Sequence, residues 1–222
     1  MGSEPVGDHR FAGARGRLIE RIRAMGVEDL DILRLFDDTP RHLFLPEAMW
    51  PRAYLDSAVP IGFGQTASQP SLQAFYLSLL APGREDKVLE IGTGSGFLTA
   101  LLAGMAHRVY SIERVRDLSR RARRALDRIG VSNAALIVGD GTIGWRKYEP
   151  FEVIVVSAGS PSVPQALVDQ LADGGRMLIP VGTKQGQELV MVRRTGGAVR
   201  EEVVRDAVRF VPLKGEFGWR EK

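Results

Sequence analysis

Three glycines at alternate positions, Gly92, Gly94 and Gly96 in "VLEIGTGSGFLTALLA", follow directly on a short apolar segment. Glycine at a strand-to-helix turn lets a ligand approach the backbone closely, and the helix N-terminus beyond it offers free N–H groups. A dinucleotide fingerprint, G-x-G-x-x-G, requires a glycine at position 97. This sequence has Phe97 there. The G-x-G-x-G spacing suits S-adenosylmethionine better; a tight turn that binds nothing is the alternative.

Carboxylates stand beside this turn. Glu90 precedes it, and either meets the cationic amino group of such a ligand, directly or through water, or caps the turn. Glu113 ends the next apolar segment, 21 positions after Gly92. At that offset a carboxylate accepts both hydroxyls of a ribose and repels the 2′-phosphate of NADP; a solvated strand end is the other reading. Asp140, in "VGDG", either accepts the N6 amine of an adenine or forms an ordinary Asp-Gly turn. Thr93 within the glycine turn and Gly141 after Asp140 complete the candidate cofactor set. All lie at the carboxyl ends of successive predicted strands, where open α/β sheets bind their ligands. Ser157 and Ala158, in "VSAGSPSVPQAL", follow the fourth predicted strand and form a further wall of that crevice. The Asn/Asp-Pro-Pro-aromatic tetrad of DNA amino-methyltransferases is missing from this position.

A second polar constellation lies upstream. "IGFGQTASQPSLQAF", residues 61–75, gathers Gly62, Gly64, Gln65, Thr66, Ser68, Gln69 and Pro70. It reads poorly as helix or strand, and the apolar residues after it read as strand-like or as a helix beginning near Pro70. Ser68 could cap such a helix. No His or Asp stands close to it in sequence to make it a covalent nucleophile.

The elements that must position these residues follow from periodicity. Leu18, Ile22 and Met25, then Leu30, Leu33 and Phe36, recur at helical spacing. From residue 85 onward, apolar strands ("KVLEIG", "RVYSIE", "AALIVGD", "FEVIVVSA", "RMLIPVG") alternate with helices ("GFLTALLAGM", "VRDLSRRARRALDRIG", "VPQALVDQLADGG"). This rhythm predicts an α/β, doubly wound, Rossmann-like sheet, mostly parallel. "TKQGQ" between "RMLIPVG" and "ELVMVRR" is too short for a parallel crossover, so an antiparallel C-terminal hairpin is expected. "EEVVRDAVRFVPL" adds one more strand, with an interruption. The expected organisation is a flexible tail over 1–15, an N-terminal helical cap and substrate loop over 16–84, and a Rossmann-like core over 85–222, forming one compact domain.

Composition sets the outer limits. The chain has 222 residues, 44% hydrophobic and 26% charged, enough for a sizeable core. It has no cysteine, which excludes disulfides, thiolate metal sites and a Cys nucleophile. His9, His42 and His107 lack ligand spacing, so no metal is expected. No apolar run reaches the ~20 residues of a membrane span, and the N-terminus has no signal-peptide pattern. The net charge is +3, and the arginines of "ERVRDLSRRARRALDR" read as a solvated helix face rather than a nucleic-acid surface. A cytoplasmic monomer is expected, without nucleic-acid or membrane partners.

Taken together, "TPRHLFLPEAMWPRAYLDSAVPIGFGQTASQP", "VLEIGTGSGFLTALLA", "SIERV", "GDG", "PFEVIVVSAGSPSVPQALVDQLADGGRMLIPVG" and "VRFVPLKGEFGW" resemble the protein-L-isoaspartate O-methyltransferases. The resemblance runs from about Pro40 to Trp219. It implies that Ser68 is the active-site serine, with Thr66, Ala67, Gln69, Ser157 and Ala158 around the substrate. It implies that Gly92, Gly94, Gly96, Glu113 and Asp140 hold S-adenosylmethionine, leaving S-adenosylhomocysteine as product. The implied reaction methylates the α-carboxyl of L-isoaspartyl residues in damaged proteins and peptides. The ester then closes to a succinimide, whose hydrolysis returns some chains to aspartate. Phe97, Ala67 and Glu152 depart from the family pattern, which has a frequent tyrosine, a branched aliphatic residue and an aspartate there. Two other readings are methyl transfer to a dedicated peptide or small carboxylate, and an S-adenosylmethionine-binding protein without turnover.

Overall fold

Apolar residues at a period of 3.6 in the first third of the chain and short β-branched runs in the rest divide the structure as they divide the sequence. The computed structural model describes residues 8–220. The chain falls into two compact units, residues 1–79 and 80–222.

In the first unit, a 3-10 turn (Asp8–Phe11) leads into α1 (Ala12–Ala24). Residues 1–7 of the expected tail lie outside the described residues, but residues 8–15 are helical. The helix reaches this far upstream because Leu18 and Ile22 bury its inner face and Arg15 is anchored on Asp37 at 2.9 Å. Asp29 caps α2 (Leu30–Asp38), its Oδ1 accepting the N–H groups of Asp31 (2.8 Å) and Ile32 (3.2 Å). Such a cap satisfies donors that the helix itself cannot.

Residues 59–67 form a small antiparallel hairpin, β1 (Val59–Gly62) and β2 (Gln65–Ala67). Gly62, Phe63 and Gly64 all take positive φ at its tip (94°, 55° and 69°). The strand-like reading of the following residues is corrected: they form α3 (Pro70–Leu80). Pro70 suits a first helical position, where no N–H is needed.

The second unit carries β3 (Lys87–Ile91), α4 (Phe97–Met105), β4 (Arg108–Glu113), α5 (Arg116–Arg128), β5 (Ala134–Val138) and β6 (Phe151–Val156). After these come α6 (Gln165–Val168), β7 (Leu171–Gly182), β8 (Gln187–Thr195) and β9 (Ala198–Val208). The strands form one Rossmann-like sheet in the order β5-β4-β3-β6-β7-β8-β9. It is parallel from β5 to β7 and antiparallel from β7 to β9, as the short "TKQGQ" connection requires. Val88, Leu89, Val153, Ile154 and Leu178 are fully buried, as in a parallel sheet covered on both faces. Two irregularities of register interrupt the pairing of β9 with β8. No helix among the described residues is long and apolar enough to cross a membrane.

The helix expected over "VPQALVDQLADGG" is a correction. Only Gln165–Val168 is helical, and Leu171 already pairs with Phe151 in the sheet. Gln170 accounts for the early stop. Its buried side chain donates from Nε2 to the Ile143 (2.8 Å) and Ala166 (2.7 Å) carbonyls and accepts the Trp145 N–H (2.7 Å). Ala172–Gly175 then bulge out before Arg176 resumes pairing with Val153. Truncating Gln170 strands these backbone groups. Gln170→Ala is expected to lose about 2–4 kcal/mol of stability in urea denaturation; an unchanged midpoint and slope would refute this account.

Candidate active site

The sheet order reverses between β3 and β6, and the ends of these two strands define a crevice of the kind that binds ligands in open α/β sheets. The Ser157 N–H donates to the Ile91 carbonyl at 2.9 Å, fastening the two strand ends together. A Cβ built on Gly92 would lie 3.5 Å from that of Ser157. Gly92, Gly94 and Gly96 take φ of 93°, 54° and 87°, a path that favours glycine at each step. At Gly96 a Cβ would also stand 2.9 Å from the Cβ of Ala122, so α4 and α5 meet there with no room for a side chain.

Glu113 holds the turn in shape. Its Oε2 accepts the Gly94 N–H and its Oε1 the Val115 N–H, both at 2.8 Å. Each carboxylate oxygen has two acceptor sites, so one on each remains for hydroxyl donors such as those of a ribose.

Beneath the turn runs a buried hydroxyl chain. Thr93 Oγ1 meets Ser111 Oγ at 2.5 Å, and Ser111 donates to Glu90 Oε2 at 2.6 Å, so Thr93 must be the donor of the first bond. Thr99 donates to the same oxygen at 2.5 Å. Glu90 is fully buried, and Thr93 nearly so. Through Oε2, Glu90 ties β3, β4 and α4 together from below, while its Oε1 has no hydrogen-bond partner among the described residues. Burial pushes its pKa up to about 7, against the hydrogen bonds from Ser111 and Thr99 and with a further push from Glu113.

Asp140 is also more engaged than the sequence suggests. Its Oδ1 accepts the Thr142 N–H (2.8 Å) and hydroxyl (2.7 Å), and its Oδ2 accepts the Glu216 N–H (2.8 Å). Burial alone would raise its pKa, but these donors, with the charge of Arg114, hold it below the ordinary value. Gly215 lies against the carboxylate so closely that a Cβ there would collide with it. Sequence reading missed this strap, although the two glycines of "KGEFGW" mark a chain passing close to something. Gly141 packs on Ile91 without space for a side chain. Ala158 belongs to the apolar core, whereas Ser157 stays half-buried at the strand end.

In the first unit, Ser68 is half-buried and its hydroxyl makes no hydrogen bond among the described residues. It does not cap α3. That role belongs to Asp56, unrecognised in the sequence, whose Oδ1 accepts the Ser71 N–H at 2.9 Å. Gln69 turns its amide inward, donating to Asp56 Oδ2 and Ser71 Oγ, each at 3.0 Å. Ala67 is buried and Thr66 is exposed. Of the substrate candidates in this segment, Thr66 and Ser68 keep polar groups open.

Comparison with known proteins decides the family. Residues 14–218 match the family described as protein-L-isoaspartate(D-aspartate) O-methyltransferase (PCMT). The chain belongs to the PCMT family. It is 47% identical to the protein-L-isoaspartate O-methyltransferase of Geobacter metallireducens over 94% of this chain and 97% of that one. It is 47% identical to that of Idiomarina loihiensis over 90% and 94%. Among solved structures it superposes on a Plasmodium falciparum protein assigned to PCMT, in complex with S-adenosyl-L-homocysteine, with a TM-score of 0.79. Identity there is 26%, covering 89% of this chain and 96% of that one.

In this PCMT family member, the buried carboxyl under the glycine turn has a thermodynamic signature. The folded state raises the pKa of Glu90 from 4.5 to about 7. A raised acid binds its proton more tightly when folded, so its stabilising share is complete below pH 4.5 and is lost as pH rises to 7. Glu90→Gln keeps an acceptor for Thr99 and Ser111 without the charge. Its stability relative to the parent is expected to gain on the order of 3 kcal/mol between pH 4 and pH 8. Parallel pH profiles from chemical denaturation would contradict this.

Proposed function

We propose that this chain transfers a methyl group from S-adenosylmethionine to the free α-carboxyl of L-isoaspartyl residues in damaged proteins and peptides. The observation that carries the reading is the family match over residues 14–218, which takes in both the glycine turn and the Ser68 segment. The acceptor chemistry agrees with the residues present. A carboxyl group with a pKa near 4 is about fully ionised at neutral pH and needs no general base. What the protein must supply is orientation and exclusion of water.

The donor set fits an adenosyl group: a turn from which side chains are excluded, and a strand-end carboxylate with acceptor sites to spare. Gly92, Gly94 and Gly96 would lie along the ligand's amino-acid portion, and Glu113 would take the ribose hydroxyls. Asp140, with Gly141, would stand at the adenine. Glu90 and Thr93 serve from beneath, keeping the turn in place. When bound, S-adenosylmethionine supplies an electrophilic methyl on a sulfonium. Ser68 donates its open hydroxyl to one oxygen of the acceptor carboxylate, which leaves the other oxygen free to attack, and Thr66 offers a further neutral donor. A neutral donor orients the anion without pairing its charge. The reading includes a monomer acting in the cytoplasm on protein rather than nucleic acid. In support of the last point, α5 carries arginines but none of the interleaved aromatic side chains on which bases stack.

A peptide pair differing only in one isoaspartyl or aspartyl linkage tests the function. Labelled methyl should enter the isoaspartyl peptide and not its twin; equal labelling of both would move the reading to another carboxylate acceptor. Ser68→Ala should lower kcat by about 10- to 100-fold while cofactor affinity from calorimetry changes by less than about 2-fold. Glu113→Ala should do the reverse, weakening cofactor binding by about 10-fold or more.

A further inference from the structure

Two charged side chains remote from Ser68 in sequence fasten the chain at its carbonyl and just beyond it. Arg41, 1% exposed, donates from Nη2 to the Ser68 carbonyl at 2.9 Å and from Nη1 to Gln73 Oε1 at 3.1 Å. Asp56 takes the Ser71 N–H and the Gln69 amide, with Arg21 Nε at 3.4 Å from its Oδ2. Ser68 lies one residue beyond the last pair of the hairpin, Val59 with Ala67, and before α3 begins at Pro70, so the hairpin precedes it and the two anchors hold it from its carbonyl onward.

The arrangement is not what a helix start needs for itself. A serine or a glutamine beside the first turn can satisfy that turn's donors locally. Here Asp56 performs the capping from 15 residues away, Gln69 is drawn aside to it, and the Ser68 hydroxyl is left open. Arg41 is buried at a desolvation cost, which lowers its pKa to about 10 against the favourable charge of Asp56 and the influence of Tyr54. It remains a cation at neutral pH. A planar fork with donors at fixed angles can engage two acceptors at once, which a lysine ammonium on a flexible stem does poorly.

We propose that Arg41 and Asp56 are positioning residues for methyl transfer, clamping the Ser68 carbonyl and the first turn of α3 behind it so that the Ser68 hydroxyl stays free and aimed. The inference rests on the role given to Ser68 above and adds the groups through which that role is maintained.

Arg41→Lys keeps the charge and loses the fork. It should lower kcat on an isoaspartyl peptide by about 10-fold or more while cofactor affinity stays within about 2-fold. In the Ser68→Ala background the same change should cost less than about 2-fold further, because residues acting as a unit are not additive. Full additivity, or a parental kcat in Arg41→Lys, overturns the proposal. Hydrogen exchange gives a readout independent of turnover. Asp56→Ala should speed exchange at the Ser71 amide by about 10-fold or more without changing amides in β3 and β6. An unchanged Ser71 rate overturns the clamp. The milder Asp56→Asn is read the same way, with a smaller rise, if the alanine variant does not fold. A parent protein that labels no isoaspartyl peptide overturns the functional reading instead, and the exchange measurement still decides the clamp.

Discussion

A carboxylate at the tip of β4 accepts the N–H at the centre of the glycine turn, and this contact fixes two strand ends at once. Glu113 could serve a ligand only if it stood still, and Gly94 could admit one only if its backbone path were held open. The hydrogen bond between them at 2.8 Å does both. It works because the layer beneath is rigid: Glu90, Thr99, Ser111 and Thr93 are linked through hydroxyls in a site closed to water. Buried polar groups of this kind are strong when satisfied and costly when not. The same closure that stiffens the turn is what makes Glu90 hold its proton more tightly than a carboxyl in water.

The two units solve the problem of holding a polar group in different ways. In the second, regular strands bring Gly92, Glu113, Asp140 and Ser157 to one edge, and position follows from register. In the first, Ser68 sits outside regular pairing, and side chains from distant segments hold it. Register is economical for a ligand that lies along a sheet edge. A tether through Arg41 and Asp56 allows a single hydroxyl to be placed where no ladder reaches.

Sequence patterns read the second unit well, for a physical reason. Parallel strands buried on both faces are continuous apolar runs, and "KVLEIG", "RVYSIE" and "FEVIVVSA" could be little else. The glycine turn was legible because excluded Cβ atoms leave a mark in composition. Where reading went astray, a non-local partner had intervened. Gln170 ends α6 because Ile143 and Trp145 call its amide away, and neither is near in sequence. Asp140 looked open because the strap from Gly215 to Trp219 arrives 75 residues later. The hairpin before Ser68 escaped notice because Phe63 takes a positive φ that its side chain disfavours, and only a handful of residues pair on either side. Arg41 and Asp56 gave no local signal at all.

The antiparallel extension has its own consequence. It leaves β9 as the outermost strand, an open margin of unpaired backbone eleven residues long. Such a margin invites foreign strands to dock and accumulate. Arg200, Glu201, Glu202, Arg205 and Asp206 all reach solvent along it, and two slips of register twist its pairing with β8. These charges and slips keep the sheet's own margin from becoming a seed for aggregation.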